Sequence, residues 1–190
     1  MRPCTGGRTF ISGALVGFAM LSIWPAAALD IGRAPDFTIR DIRGVTVNGA
    51  KLFAQGPAIV DFWATWCVPC RPELKALAKI HKKYKNRGLT ILAISEDGVE
   101  ETAAVKQFVR TEKMPFVVIV DRNKQLMKLF HASAVPTLFL MEKGGKIRAT
   151  HIGFLSGDEK KIEKEVASLI EEMGKNQAKE TNKDAPVEGK

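Results

Sequence analysis

The sequence predicts an α/β domain in which a central mixed sheet is flanked by helices. Short apolar runs typical of strands alternate along the chain with longer segments in which apolar residues recur every three or four positions. The chain then closes with a hairpin and a helix. A length of 190 residues, of which 45% are apolar and 26% charged, suits one globular domain with short extensions.

The individual elements follow from the apolar patterns. Residues 29–36 are predicted to form an extended linker, and residues 37–47 alternate apolar and polar side chains around a turn, which predicts a hairpin. The nearly continuous apolar run at 58–63 suits a buried central strand. The later elements are a helix at about 70–86, a strand at 89–94, a helix at 99–113, a strand at 116–120, a short helix at 124–131, a hairpin of 137–141 with 146–152, and a helix at about 158–173.

The N-terminal 28 residues have the three parts of a secretory signal peptide. Arg2 and Arg8 precede an uncharged apolar run, Phe10 to Trp24, and three alanines at 26–28 offer a cleavage site. This run of 15 residues is short of the roughly 20 that span a bilayer, so cleavage after Ala28 is the first expectation. An uncleaved signal anchor at the inner membrane is the alternative, and either arrangement places the domain in the periplasm.

The net charge of +8 does not indicate a nucleic-acid partner, because no basic patch is interleaved with aromatic residues. A solvated basic surface explains the charge. At the C-terminal end, residues 174–190 are polar, carry mixed charge and contain few apolar residues, which predicts a disordered tail.

The cysteines point to redox chemistry. Cys4 lies in the export segment, so its removal would leave only Cys67 and Cys70. A bond between residues so close in sequence closes a very small loop and stabilises the fold little, so reactivity explains the pair better. A structural zinc site needs four ligands, and no second cysteine pair is present. We therefore expect no metal, and no cofactor beyond a redox-active Cys67–Cys70 disulfide.

The expected surroundings of the pair suit thiolate chemistry. Cys67 lies where a buried strand gives way to a helix, whose first turn offers unpaired N–H groups and the positive end of its dipole. We expect Cys67 to be exposed and attacking, and Cys70 to be shielded and resolving. Asp61 within the buried strand, and Glu73 three residues after Cys70, are the candidates for proton handling. An acid in a first turn also stabilises the helix dipole, which is the alternative role for Glu73.

The segment from Val60 to Glu73 (VDFWATWCVPCRPE) resembles the active site of thioredoxins, and more closely that of the exported TlpA/ResA group. The resemblance covers about residues 34–173. It implies a thioredoxin fold with an N-terminal hairpin and an inserted helix–strand segment at 96–120, and hence a thioredoxin-like domain at 37–173. It also implies that Asp61 and Glu73 occupy active-site positions and that Val135-Pro136-Thr137 is the cis-proline segment. Trp66, Val135 and Pro136 are then expected to contact the substrate.

The resemblance implies a thiol:disulfide oxidoreductase that acts on client proteins with cysteine pairs. The dipeptide Val68-Pro69 resembles those of reducing members, which predicts a reductase re-reduced by a membrane thiol carrier of the DsbD/CcdA type. Apocytochromes c and copper-site thiols are the expected clients. The residues after Pro136 are not the Glu-Thr pair of dedicated cytochrome c maturation members.

The sequence is also compatible with other functions. A periplasmic thiol oxidase or isomerase would use the same cysteine pair in another direction. A non-enzymatic copper-delivery module would favour CxxxC with a partner histidine, whereas this chain has CxxC. A peroxidase is the nearest enzymatic rival, because Ala34-Pro35-Asp36-Phe37 also opens peroxiredoxins, but Thr65-Trp66-Cys67 lacks their spacing and their preceding proline.

Overall fold

The computed structural model describes residues 32–183, so the predicted signal segment and the start of the linker lie outside the described residues. The strands are β1 (Thr38–Arg40), β2 (Thr46–Asn48), β3 (Ala58–Trp63), β4 (Thr90–Ser95), β5 (Val117–Val120), β6 (Thr137–Met141) and β7 (Ile147–Ile152). The α-helices are α1 (Gly49–Gln55), α2 (Cys70–Tyr84), α3 (Thr102–Thr111), α4 (Gln125–Leu129) and α5 (Asp158–Lys183). Short 3₁₀ turns occupy Lys85–Arg87, Val99–Glu101 and Arg122–Lys124.

The central sheet has the strand order β5-β4-β3-β6-β7, and β1 and β2 form a separate antiparallel pair. β3 pairs in parallel with β4 and antiparallel with β6. β5 extends the parallel side, and β7 extends the antiparallel side. The predicted mixed sheet with an N-terminal hairpin is therefore confirmed. α3 and β5 form the predicted inserted segment, which adds the edge strand beside β4.

β3 divides the core into two layers. All of its residues are buried, and successive side chains face opposite sides of the sheet. Val60 and Phe62 pack into a cluster on the side of α1, α4 and the β1–β2 hairpin. Ile59 and Trp63 face the other side, where α2, α3 and α5 lie. Asp61, between Ile59 and Trp63 on the strand, therefore faces α2.

α1 was not among the predicted elements. Asn48 ends β2 and caps this helix, since its side chain accepts a hydrogen bond from the Lys51 N–H at 2.9 Å. Phe53 is buried and packs edge-to-face on Phe37, with 6.1 Å between ring centroids. The helix was missed because it follows a three-residue strand without an intervening loop. The capping asparagine ahead of an Ala-Lys-Leu-Phe-Ala run is the sequence signal that could have found it.

The C-terminal helix is longer than predicted. α5 continues to Lys183, so the prediction of a disordered tail is wrong for residues 174–183, and residues 184–190 lie outside the described part of the chain. Polarity alone does not stop a helix that packing has already nucleated, because lysine, glutamine, alanine and glutamate propagate it at little cost. Within residues 32–183 no helix is long and apolar enough to cross a membrane.

The described part of the linker lies against the domain. The Ala34 N–H donates to the Gly145 carbonyl at 2.7 Å, and the Ile147 N–H donates to Gly32 at 2.6 Å. The start of the described chain is thus paired with the turn between β6 and β7.

Candidate active site

Cys67 and Cys70 form a disulfide at the junction of β3 and α2, with 5.4 Å between their Cα atoms. Cys70 is the first residue of α2, and Pro69 is the N-cap. Proline has no side-chain acceptor, and the first turn of α2 has no capping hydrogen bond from that residue. The helix N-terminus therefore keeps its positive end directed at the cysteines, which favours a thiolate there.

The two cysteines differ less in exposure than the sequence suggested. Cys70 is completely buried, as expected, but Cys67 is only 4% exposed, so the expectation of an exposed Cys67 is wrong for the disulfide form. The disulfide joins Cys67 to the first residue of α2, and Cys67 packs in a cluster with Trp63 and Ala64. Cys67 is nevertheless the one sulfur-bearing residue of the pair that reaches the surface.

Several apolar side chains are exposed at the edge of the sheet that carries the cysteines. Trp66 and Val68, on either side of Cys67 in the sequence, are 63% and 77% exposed. Ile152 and Leu155 are also exposed, at 71% and 76%. Ile152 ends β7 and Leu155 comes three residues later. This is the same edge of the sheet, because Ile152 pairs with Thr137 at the start of β6. No sequence pattern marks these two residues, because exposed apolar residues at a strand end are common.

The Val135–Pro136 peptide bond is cis, as the family resemblance implied. The Pro136 carbonyl accepts a hydrogen bond from the Gly153 N–H at 2.9 Å, which joins this loop to the segment after β7. Val135 is half-buried and packs on the cluster that contains the cysteines. Within the described residues its main chain makes no hydrogen bond, so its N–H and C=O are available to another strand.

Two acids lie in the interior, one on β3 and one in the first turn of α2, the helix that begins at Cys70. Asp61 is fully buried, and neither carboxylate oxygen has a hydrogen-bond partner among the described residues. Burial raises the pKa of Asp61 well above the usual value for aspartate. Glu73 is 1% exposed in the first turn of α2, three residues after Cys70 and so on the same helix face.

The two carboxyl groups are close enough to influence each other. Burial raises the pKa of Glu73 most, and the charges of Asp61 and then Asp158 raise it further. Two like charges in one low-dielectric site cannot both form readily, so at least one proton is retained near neutral pH. A carboxyl group that holds or releases a proton near pH 7 can exchange it with a thiol. Helix stabilisation alone does not account for a Glu73 whose ionised form is so strongly disfavoured.

Asp97 holds the loop that precedes Cys67, and the sequence-based prediction missed it. Its carboxylate accepts hydrogen bonds from the Thr65 N–H at 3.0 Å, the Thr65 hydroxyl at 2.5 Å and the Ser95 hydroxyl at 2.5 Å. Asp97 is 2% exposed and is the second residue after β4. The signal was its position: the ends of parallel strands meet at one edge of the sheet, so an acid after β4 lies beside the loop after β3.

Glu96 is a further buried carboxyl group at this edge. Its N–H donates to the Trp63 carbonyl at 2.8 Å, and its carboxylate oxygens lack hydrogen-bond donors among the described residues. Burial, with the nearby Asp121 charge, raises the pKa of Glu96 to about 8. Unlike Asp97, Glu96 makes no side-chain contact that positions the cysteine loop.

The buried acid pair should make the stability of the oxidised protein depend on pH. The pKa values of Asp61 and Glu73 are higher in the folded state than in the unfolded state. At a pH between the folded-state and unfolded-state values, the folded protein therefore binds more protons than the unfolded protein. The contribution of these two acids to stability is therefore full at acid pH and is lost progressively as the pH rises from 5 to 8. Asp61→Asn combined with Glu73→Gln should reduce this loss by at least about 1.4 kcal/mol, the equivalent of one pKa unit. Urea unfolding at both pH values measures it.

The control for this experiment is Glu100→Gln combined with Glu171→Gln, which removes two exposed carboxylates of the same charge. Equal pH dependence in the wild type and in the buried-acid variant would contradict the shifted pKa values.

Asp97→Ala should loosen the loop that carries Cys67 because the two Thr65 donors lose their acceptor. We expect faster amide hydrogen exchange at Thr65 and a several-fold slower reaction of the reduced protein with a small disulfide. The loss of buried hydrogen bonds costs about 1–3 kcal/mol of stability. Asp97→Asn, which can still accept from Thr65, should restore most of the rate. Glu96→Gln is the matched control, and an equal loss of rate in that variant would argue against a positioning role for Asp97.

Comparison with known proteins agrees with this site. The model of the AhpC/TSA family matches residues 32–150, which is more than half of the chain. The thiol-disulfide oxidoreductase ResA of Bacillus cereus is 34% identical over 140 residues, which cover 72% of this chain and 79% of that protein. ResA of Bacillus subtilis is 32% identical over 114 residues, covering 60% of this chain and 62% of that protein.

Solved structures give the same result. A thiol:disulfide interchange protein of the thioredoxin family from Chlorobium tepidum superimposes with a TM-score of 0.64 at 25% identity, covering 73% of this chain and 96% of that one. The thioredoxin domain of a thiol-disulfide oxidoreductase from Bacteroides vulgatus has a TM-score of 0.63 at 26% identity, with 73% and 95% coverage. The predicted thioredoxin fold is thus confirmed. The chain belongs to the AhpC/TSA family and is a thioredoxin-like thiol:disulfide oxidoreductase of the ResA type.

Proposed function

We propose that this chain is a periplasmic reductase of disulfides in client proteins. The observation that carries the proposal is the Cys67–Cys70 pair at an uncapped helix start, with the unpartnered carboxyl groups of Asp61 and Glu73 buried behind it. Export through the N-terminal 28 residues would bring the pair to a compartment in which clients form disulfides.

Reduction of a client would proceed by two exchanges. In the reduced protein the Cys67 thiolate attacks one sulfur of the client disulfide, and the other client sulfur leaves as a thiolate. The Cys70 thiol then passes its proton to the buried acid pair and attacks the Cys67 sulfur. The Cys67–Cys70 disulfide forms, the mixed disulfide breaks, and the client leaves with both electrons. The client's thiolates take up protons from solvent and from the acid pair.

The surface around the disulfide suits an extended client segment. The unpaired main chain of Val135 can pair with a client strand next to Cys67. Trp66, Val68 and Leu155 supply apolar contacts around it. Main-chain pairing with apolar contacts recognises an exposed cysteine segment with little dependence on its sequence, which suits an enzyme with several clients.

The acid pair also favours the reducing direction. DsbA is a strong oxidant because its reduced form is stabilised by a very low thiol pKa. Here, buried carboxyl groups oppose a further negative charge on the thiolate, so the reduced form is less stabilised. A reductase needs a source of electrons, and a membrane thiol carrier of the DsbD/CcdA type would supply them across the inner membrane. The ResA resemblance and the Val68-Pro69 dipeptide support apocytochromes c or copper-site thiols as clients.

The redox potential tests the direction. We expect equilibration with a dithiothreitol or glutathione buffer to give a value near the roughly −270 mV of thioredoxin rather than the roughly −120 mV of DsbA. Val68→Pro combined with Pro69→His, which installs the dipeptide of DsbA, should raise the potential. A wild-type value near that of DsbA would support the oxidase or isomerase instead.

Trapping the mixed disulfide identifies the clients. Cys70→Ser removes the resolving thiol, so Cys67 should remain joined to its client, and mass spectrometry of the complexes would name it. Cys67→Ser is the matched control and should accumulate few complexes, because Cys70 is completely buried. Complexes formed mainly through Cys70 in that control would reverse the two roles.

A further inference from the structure

A second concave surface lies away from the cysteine pair. It is a groove of about 600 Å³. The β1–β2 hairpin, the N-terminal half of α3 and Arg122, which comes shortly after β5, form its walls. The hairpin is fastened there, because the Ile42 N–H donates to the Val118 carbonyl of β5 at 3.0 Å. The groove therefore has a fixed shape, built by three elements distant in sequence.

The groove combines a cationic rim with an apolar floor. Ile39, Ile42 and Val120 line the floor and are buried or half-buried. The cationic side chains of the rim are all exposed: Arg40, Arg43, Lys106 and Arg122.

These positive charges are largely uncompensated. Asp41 is the one acid among the residues that line the groove, and its carboxylate is occupied by Arg43 at 2.7 Å and by the Val45 N–H at 2.9 Å. Among the described residues, Arg40 donates only to the Gly44 carbonyl and has no acidic partner there. The side chains of Lys106 and Arg122 have no hydrogen bond or ion pair among the described residues.

The groove and the active site lie on opposite sides of α3 at the same edge of the sheet. Phe108 faces the active site, since its ring stacks on Trp63 at 5.1 Å and lies under the Arg71 guanidinium at 5.5 Å. Lys106, two residues earlier on the helix, points to the opposite side. β5 runs parallel to β4 and β3, so Arg122 after β5 lies at the edge that carries the cysteines.

We propose that this groove docks an acidic segment of the proteins that exchange disulfides with Cys67–Cys70. Three unpaired cations on separate elements suit carboxylates spaced along a peptide, and the floor accepts an apolar side chain between them. A volume of about 600 Å³ exceeds what one small anion fills. A lipid surface fits less well, because the floor is apolar and recessed. The proposal rests on the proposed function only in that the partner is a protein.

Fluorescence anisotropy with a labelled peptide that alternates glutamate and valine tests the proposal on the full chain. We expect binding that weakens as salt rises, and about tenfold weaker binding for Lys106→Glu combined with Arg122→Glu. The matched control is Lys161→Glu combined with Lys164→Glu, two exposed lysines on α5 with the same change in charge, which should bind like wild type. A peptide with glutamine in place of glutamate should not bind.

Insulin reduction driven by dithiothreitol is measured on the same variants and should be unchanged, because neither groove residue touches the cysteine pair. A wild-type protein that does not reduce insulin would contradict the proposed function. Equal peptide binding by the groove variant and the control variant would overturn only the proposal that the groove binds an acidic segment. Phosphatidylglycerol vesicles are the second probe. Vesicle binding that depends on Lys106 and Arg122, without peptide binding, would also overturn the proposal and indicate a membrane contact.

Discussion

The burial of β3 on both faces, between a parallel and an antiparallel neighbour, is the constraint on which the fold and its chemistry both depend. Because the strand is central, α2 must begin where it ends, and the turn between them places Cys67 and Cys70 at a helix N-terminus. The two core layers are sorted by the alternating side chains of this strand. Asp61 in the middle of this strand therefore faces α2, the helix that begins at Cys70.

The burial of Asp61 is unfavourable for its ionised form, and this is what suits the group to proton transfer. A carboxylate removed from water without donors is destabilised by several kcal/mol, and the group responds by retaining its proton. That response brings its pKa from the range of an exposed acid toward that of a thiol, where proton transfer in both directions is fast. Glu73 adds to the effect, since its own burial and the Asp61 charge act in the same direction. A hydrogen-bond donor placed beside either acid would stabilise its ionised form and the fold. It would also lower the pKa of that acid away from the pKa of a thiol.

The sequence predicted the parts of the molecule that depend on local periodicity and on short spacing. The strand at 58–63 and the helix that starts near Cys70 agree with the structure. The cis bond before Pro136 also agrees, but the family resemblance implied it rather than periodicity or spacing. What it missed depends on contacts between distant segments. Asp97 positions Thr65 across 32 positions of sequence, and an isolated acid after a strand gives no sign of its partner. The near-complete burial of Cys67 was missed for the same reason, because the disulfide and its packing decide it.

The chemistry of the cysteine pair also limits what it can select. Disulfide exchange with a thiolate, a resolving thiol and a proton acceptor is possible for any accessible disulfide. Pairing with the Val135 main chain recognises the backbone of the client and not its side chains. Selection among clients therefore has to come from contacts outside the reacting atoms. α3 separates two surfaces of opposite character at one edge of the sheet, an apolar rim around the disulfide and a cationic groove. A client that contacts both surfaces would gain affinity from the apolar surface and would be selected by the cationic groove. Charge complementarity contributes more to specificity and encounter rate than to affinity.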